Sequence, residues 1–344
     1  MNEFTPFTAV EFHTLTSLFA QVLSTKETPV IIPGEAILGI EAIAAGVAAP
    51  GRRILNVVTG PYGKIFGDWL ARGGAEVVEL RTPYNEVTAA DAVAAEIERS
   101  RPCALAFVQA EAATGGSNPT KEILEIARRN NLVTVVDSVS AIGAEPVLMD
   151  EWGMDFVAIG AQKALAGPNG VSAVGISARG WEFLESNPVA PQNSILSLLD
   201  LKPRPGGESL QVAANIPILE ARAAIKALAQ IEEEGLPSVY RRHALAAASA
   251  IAGIQALGLE PWQRRKDGRS PLVTTVRIPQ GETLQLQRPV GILAPGGGEL
   301  YNKLLRINHF GANANQESVE EAIRTLSELM HREPGDAISA ERKV

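Results

Sequence analysis

Asp155-Phe-Val-Ala-Ile-Gly-Ala-Gln-Lys-Ala-Leu-Ala-Gly-Pro-Asn-Gly170 reads as an apolar strand that delivers one lysine into a loop of small residues. Stability gives no reason for Lys163, because an unpaired buried ammonium is expensive. The same desolvation lowers an amine's pKa and makes it a nucleophile able to form a Schiff base with an aldehyde. Upstream, Val135-Val-Asp-Ser-Val139 ends a second apolar strand in an acid, Asp137. A lysine for an aldehyde and an aspartate for a pyridinium nitrogen are the two protein groups that pyridoxal chemistry requires.

Outward from these two strands the same alternation repeats. Apolar runs at 30–32, 54–58, 77–80, 103–108, 132–136, 156–160 and 171–176 are interleaved with helical patterns near 37–49, 65–72, 89–99 and 120–130. Near-continuous apolar strands between helices predict an α/β fold, its sheet largely parallel and covered on both faces. Thr88 and Asn118-Pro119 stand where helix caps belong. The stretch 187–215, with Lys202-Pro-Arg-Pro-Gly-Gly207, reads as a connecting or active-site loop. A helix near 218–234 is followed by Gly235-Leu-Pro237, a chain break. The expected division is a large domain over 1–235 and a smaller C-terminal α/β domain over 236–331, followed by a polar tail, 332–344, read as disordered. The smaller domain holds a long helix near 239–257, strands near 272–278 and 304–308, and a helix near 316–330.

The 344 residues, 46% hydrophobic and 20% charged, suffice for a sizeable core. A net charge of −8 argues against nucleic acid and against an anionic membrane as partners. Residues 1–6 carry Glu3 and no basic leader, and no apolar run reaches membrane-spanning length, so a cytoplasmic enzyme is expected. The single Cys103, in an apolar run, reads as a buried small hydrophobe. His13, His243, His309 and His331 show no metal spacing, and no metal is expected. The glycine runs Gly115-Gly116 and Gly296-Gly-Gly298 lack a nucleotide-binding pattern.

Val136-Asp-Ser-Val-Ser-Ala-Ile-Gly143, Asp150-Glu-Trp-Gly-Met-Asp155, Gln162-Lys163 and Gly167-Pro168 together resemble the class V aminotransferases of the fold-type I pyridoxal-phosphate family. The resemblance runs from about residue 29 to 312. Within that family, Gly34-Glu-Ala-Ile-Leu-Gly-Ile-Glu-Ala42, Thr59-Gly-Pro-Tyr-Gly-Lys64, Asn187-Pro-Val-Ala-Pro191 and Ser194-Ile-Leu-Ser197 are similar to the pyridoxamine–pyruvate subgroup. The resemblance implies a Schiff base on Lys163, Asp137 at the pyridine nitrogen, Tyr62 stacked on the ring, Gln162 near the phosphate, Thr114 near the ring hydroxyl and Arg306 on a substrate carboxylate. His309 is read as structural.

Glu35 is the informative departure. The family opens this helix with a small polar turn that holds the cofactor phosphate, a use suited to a helix N-terminus. A carboxylate there repels phosphate and can instead accept a hydrogen bond from the hydroxymethyl of unphosphorylated pyridoxal or pyridoxamine. The other reading of Glu35 is an acid favoured by the first helical turn. Further departures are Gly297, where the subgroup has a second arginine, Ala112 in place of a hydroxyl residue, and the apparent lack of a substrate-lining N-terminal segment. The expected activity moves an amino group between a small amine and a 2-oxo acid, foremost pyridoxamine plus pyruvate to pyridoxal plus alanine. The alternatives are an ordinary pyridoxal 5'-phosphate enzyme of the alanine/serine–glyoxylate type and a lyase on the same fold. The family also implies a homodimer.

Overall fold

The computed structural model describes residues 5–202, 215–279 and 286–330. The chain begins with α1 (Ala9–Leu23), β1 (Val30–Ile32), α2 (Ala36–Val47), β2 (Arg53–Val58), α3 (Pro61–Arg72), β3 (Glu76–Arg81) and α4 (Ala90–Ser100). It continues with β4 (Ala104–Val108), a two-residue hairpin β5 (Ala110–Glu111) and β6 (Gly116–Ser117), α5 (Thr120–Arg129), β7 (Val133–Asp137), α6 (Met149–Trp152), β8 (Phe156–Gly160), β9 (Ser172–Ile176) and α7 (Ala178–Glu185). After the loop come α8 (Ile218–Glu234), α9 (Leu236–Ala256), β10 (Thr274–Arg277), β11 (Leu293–Pro295), β12 (Leu304–Ile307) and α10 (Gln316–Leu329).

Seven strands form one sheet in the order β1-β9-β8-β7-β4-β2-β3. The pairs β2–β3, β2–β4, β4–β7 and β7–β8 are parallel, and only β9 runs against its neighbours. Alternating side chains divide the strands between two cores. Leu105, Phe107, Val157 and Ile159 pack with α1, α5 and α8 on one face. Ala104, Ala106, Phe156 and Ala158 pack with α2, α3 and α7 on the other. The expected α/β architecture with a largely parallel sheet is therefore what forms. The antiparallel sheet β10-β12-β11 packs with α9 and α10 around a separate core that includes Ile254, Ile307 and Ile323.

Several local expectations are corrected. Neither Thr88 nor Asn118 caps a helix: the N-caps are Ala89 and Pro119, without side-chain bonds. Asn118 instead ties loops together, receiving Thr88 N–H at 3.1 Å and donating to Thr59 Oγ1 at 2.9 Å and Val108 O at 2.8 Å. Cys103 is exposed, not buried, because it stands just ahead of β4 at the sheet's rim, its thiol 3.3 Å from Arg53 O. The third helix begins at Pro61, four residues earlier than expected, since Gly60 and Pro61 supply an N-cap and a first position suited to proline. Helices α1 and α7 and strand β11 were not anticipated. The stretch 203–207 and the tail 332–344 lie outside the described residues.

Asp155 pins the two strands that carry the key lysine and aspartate. It is buried (3% exposed) and accepts from Thr134 N at 2.9 Å, Ser177 Oγ at 2.8 Å and Arg179 Nε at 2.9 Å. Replacing one partner of such a set strands the others. Asp155→Ala is expected to cost about 3 kcal/mol of unfolding free energy in urea titrations; a loss below about 1 kcal/mol would contradict this assignment.

Candidate active site

Open parallel sheets place ligands beyond the carboxyl ends of their strands. Here Glu35, Tyr62, Asp137 and Lys163 follow or end β1, β2, β7 and β8, and all four line one cavity of about 290 Å³. Val108, Ala110 and Val139 make its apolar walls. That volume suits a single substituted ring.

Asp137 is the last residue of β7, 4% exposed, and its Oδ1 accepts Val139 N–H at 2.9 Å. Burial pushes its carboxyl up from 3.8 to about 6, against the pull of the Lys163 ammonium. Lys163 Nζ donates to Ser140 Oγ at 2.7 Å and lies 5.7 Å from the centre of the Tyr62 ring. Burial lowers the amine below its ordinary range, with Asp137, Glu35 and Glu111 opposing. The site thus holds an amine made easier to deprotonate beside a carboxyl made harder to ionise.

Glu35 is the N-cap of α2, its Oε2 accepting Ile37 N–H at 2.8 Å. Its Oε1 accepts a hydrogen bond from Gln162 Nε2. Glu35 thus caps the helix from one position before its first turn and also lines the cavity. The Gln162 amide is spent on this carboxylate, and its Oε1 is buried without a partner. Tyr62 is the second residue of α3, not a loop residue, and is 38% exposed. Raising its phenol, burial acts first, then the carboxylates of Glu111, Glu35 and Asp137.

Arg306 enters from the other sheet, in β12, flanked by Thr275 and Ala294. It is close enough to act electrostatically on Tyr62 and Lys163, and its Nε is buried without a partner. Of the expected residues, Gln162, Arg306 and Thr114 are not among those that line the cavity, and Thr114 is the one tied away from it. It is fully buried, its carbonyl receiving Thr275 Oγ1 at 2.9 Å and Gln263 Nε2 at 3.0 Å. His309 is buried against Thr274 Oγ1 at 2.8 Å and pushed down to about 4 by burial, a structural histidine. Gly297 lies in open space, with nothing within 4 Å of an added Cβ. Two residues escaped the sequence reading. Ser140, holding the amine, lies three positions beyond Asp137 in the quoted block, and the buried acid Glu111 stands out only as a charge amid small residues.

A cavity lined by a lysine amine and a buried carboxyl, with an arginine near enough to act on that amine, fits a fold-type I aminotransferase on this sheet. The chain belongs to the class V aminotransferase family, whose model it matches over residues 12–287. It is 32% identical to pyridoxamine–pyruvate transaminase of Mesorhizobium japonicum over 91% of this chain and 80% of that one. It is 27% identical to alanine–glyoxylate aminotransferase of Drosophila melanogaster over 89% and 80%. The crystal structure of pyridoxamine–pyruvate aminotransferase from Mesorhizobium loti superposes with a TM-score of 0.91 at 28% identity, covering 97% of this chain and 88% of that one. The protein is a transaminase of a pyridoxal-phosphate-dependent family. The cavity's size, the lysine–carboxyl pair and the unpartnered Arg306 Nε fit the pyridoxal ring and a carboxylate substrate; a helix start closed by Glu35 fits a phosphate poorly.

A carboxyl whose folded pKa is raised favours the fold in its protonated form. For Asp137 that contribution is full below about 3.8 and lost as pH rises through about 6. Without ligand, Asp137→Asn is therefore expected to unfold at a higher temperature than the wild type at pH 8, with the gap closing toward pH 4. Equal melting temperatures at pH 8 would argue against the strained carboxyl.

Proposed function

We propose that the protein transfers an amino group from pyridoxamine to a small 2-oxo acid, pyruvate foremost, giving pyridoxal and alanine. The observation that carries this reading is Glu35 at the start of α2, engaged by Ile37 N–H and the Gln162 amide. Helix N-termini hold phosphates through free N–H groups and the dipole. Here a carboxylate takes that place. At about 4 Å and an effective dielectric near 20, two unit charges repel by roughly 4 kcal/mol, close to three decades of affinity. An uncharged hydroxymethyl pays no such penalty and can donate to the carboxylate. The relatives named for pyridoxamine and pyruvate support the same reading.

The roles follow from chemistry at each position. When bound, the pyridine ring supplies an electron sink and a carbon that exchanges amine for carbonyl. Asp137 would hold the ring nitrogen protonated. Lys163 Nζ, eased toward its neutral form by burial, would take and return the proton at the carbon next to nitrogen, with Ser140 Oγ orienting it. Tyr62 would cover the ring face. Arg306 would take the oxo-acid carboxylate, where its planar fork gives two parallel bonds. Gly297 supplies no second cation, which favours acceptors with a single carboxylate. Thr114, set back from the cavity, would act through the packing behind the ring.

A cytoplasmic homodimer belongs to the same proposal. The exposed lone thiol of Cys103 suits a reducing compartment. Among the described residues no helix is long and apolar enough to cross a membrane. Exposed Tyr62 and Ile65 share one face of α3 and suit contact with a second copy. We also propose the domain division at 235/236, supported by the separate core around β10–β12.

Turnover of free pyridoxamine with pyruvate is the direct test. Glu35→Ser should shift the preference toward phosphorylated ligand by about 100-fold or more. Tight stoichiometric pyridoxal phosphate in the wild type, with no turnover of pyridoxamine, would favour the ordinary cofactor-dependent reaction. Lys163→Ala should abolish transfer. Arg306→Lys should raise KM for pyruvate by about tenfold or more while leaving pyridoxamine affinity near its starting value; equal effects on both substrates would argue against the carboxylate role.

A further inference from the structure

Helix α3 carries Tyr62 at its second position, yet its N-cap is Gly60, which has no side chain to cap with. A helix start leaves its first N–H groups without partners. Pro61 has none to satisfy. The N–H of Gly63, at the third position, is taken by Glu111 Oε1 at 2.8 Å, and the Tyr62 backbone lies close enough to help lower the same carboxyl. Those second and third positions are the ones an N-cap side chain serves. Glu111 comes from β5, 48 residues away in sequence. On the opposite side of the same residue, Asn56 Nδ2 donates to Gly63 O at 2.9 Å.

The fit is tight. A Cβ on Gly60 would lie 2.3 Å from the Glu111 carboxyl carbon, so the glycine exists to admit this acid. Glu111 is 1% exposed, and its Oε2 is buried without a partner. Burial pushes it up to about 8, so near neutral pH it is an uncharged acceptor. An ionised acid would have added a second buried negative charge beside Asp137.

We propose that Glu111 is the N-cap of α3 supplied from outside the helix, and that through Gly63 and Tyr62 it positions the tyrosine ring over the pyridine. Glu111 is a positioning residue: it acts through the backbone that carries Tyr62. The proposal rests on the reading that Tyr62 covers the ring.

Pyridoxal binding, followed by absorbance titration of the full-length protein, separates the two. Tyr62→Ala should weaken binding about tenfold, the usual worth of a stacked ring. Unchanged binding there would sink the stacking role and this proposal with it. Glu111→Met keeps volume but removes the acceptor, and should also weaken binding about tenfold. Glu111→Gln keeps a neutral acceptor and should restore binding to within about threefold of wild type. Combined with Tyr62→Ala, Glu111→Met should cost little more. If Tyr62→Ala weakens binding and Glu111→Met does not, or if Met and Gln weaken it equally, or if the double variant shows the full sum, Glu111 does not act through Tyr62. Should Glu111→Met fail to fold, Asn56→Ala frees the other end of the same residue and is expected to weaken binding about threefold; wild-type affinity in it would overturn the proposal.

Discussion

A buried amine and a buried carboxyl share one pocket at the carboxyl edge of the sheet, and the surrounding structure keeps them there. Burial works against both charges, lowering the Lys163 amine and raising the Asp137 carboxyl, while each partly rescues the other. Neither group would be tolerated alone. The parallel strands solve the placement problem, since β7 and β8 are neighbours and end on the same side. Asp137 caps one strand, and Lys163 lies three residues past the other. The remaining partners are short-range and local: Val139 N–H on the acid, Ser140 Oγ on the amine.

Around that pair the helix starts are closed by carboxyl groups in two different ways. At α2 the acid is local, Glu35, and it reaches both its own helix and Gln162. At α3 the acid is remote, Glu111, and it is buried deeply enough to be neutral near pH 7. The difference has a consequence for ligands. A carboxylate at the α2 start sets the charge that an incoming group must match. A buried acceptor at the α3 start organises backbone instead, through the N–H of Gly63.

The sheet was readable because its strands are nearly continuous apolar runs, and the pair Asp137 and Lys163 because a charge at the end of such a run has no structural excuse. Boundaries were less readable where a partner distant in sequence decides them. The start of α3 depends on Glu111, which nothing near Gly60 announces. Asn118 resembled a cap from its place before Pro119, but its side chain is claimed by Thr59 and Val108 across the sheet edge. Cys103 looked buried from its apolar neighbours, yet the strand begins one residue later and leaves it at the rim. Arg306 was legible as a residue type in a matching motif; its approach to Tyr62 and Lys163 was not, because it is set by how the two sheets meet.

One point of that meeting is a glycine beside the lysine loop. Gly311 has φ of +61°, and a Cβ there would lie 2.8 Å from Lys163 O. Its N–H donates to His243 Nε2 at 3.2 Å and its carbonyl accepts from Arg242 Nη1 at 2.5 Å, both partners lying in α9. His243 can accept because burial holds it down at about 4, neutral, and its Nδ1 is engaged with Val239 O at 2.8 Å. The carbonyl of the lysine, the glycine and the long helix are thus stacked in contact, five residues beyond Arg306. A side chain at 311 would push the lysine loop and the arginine strand apart. Backbone packing at Gly311 therefore helps to set how far the Lys163 amine stands from the Arg306 guanidinium, and this contact lies outside the cavity itself.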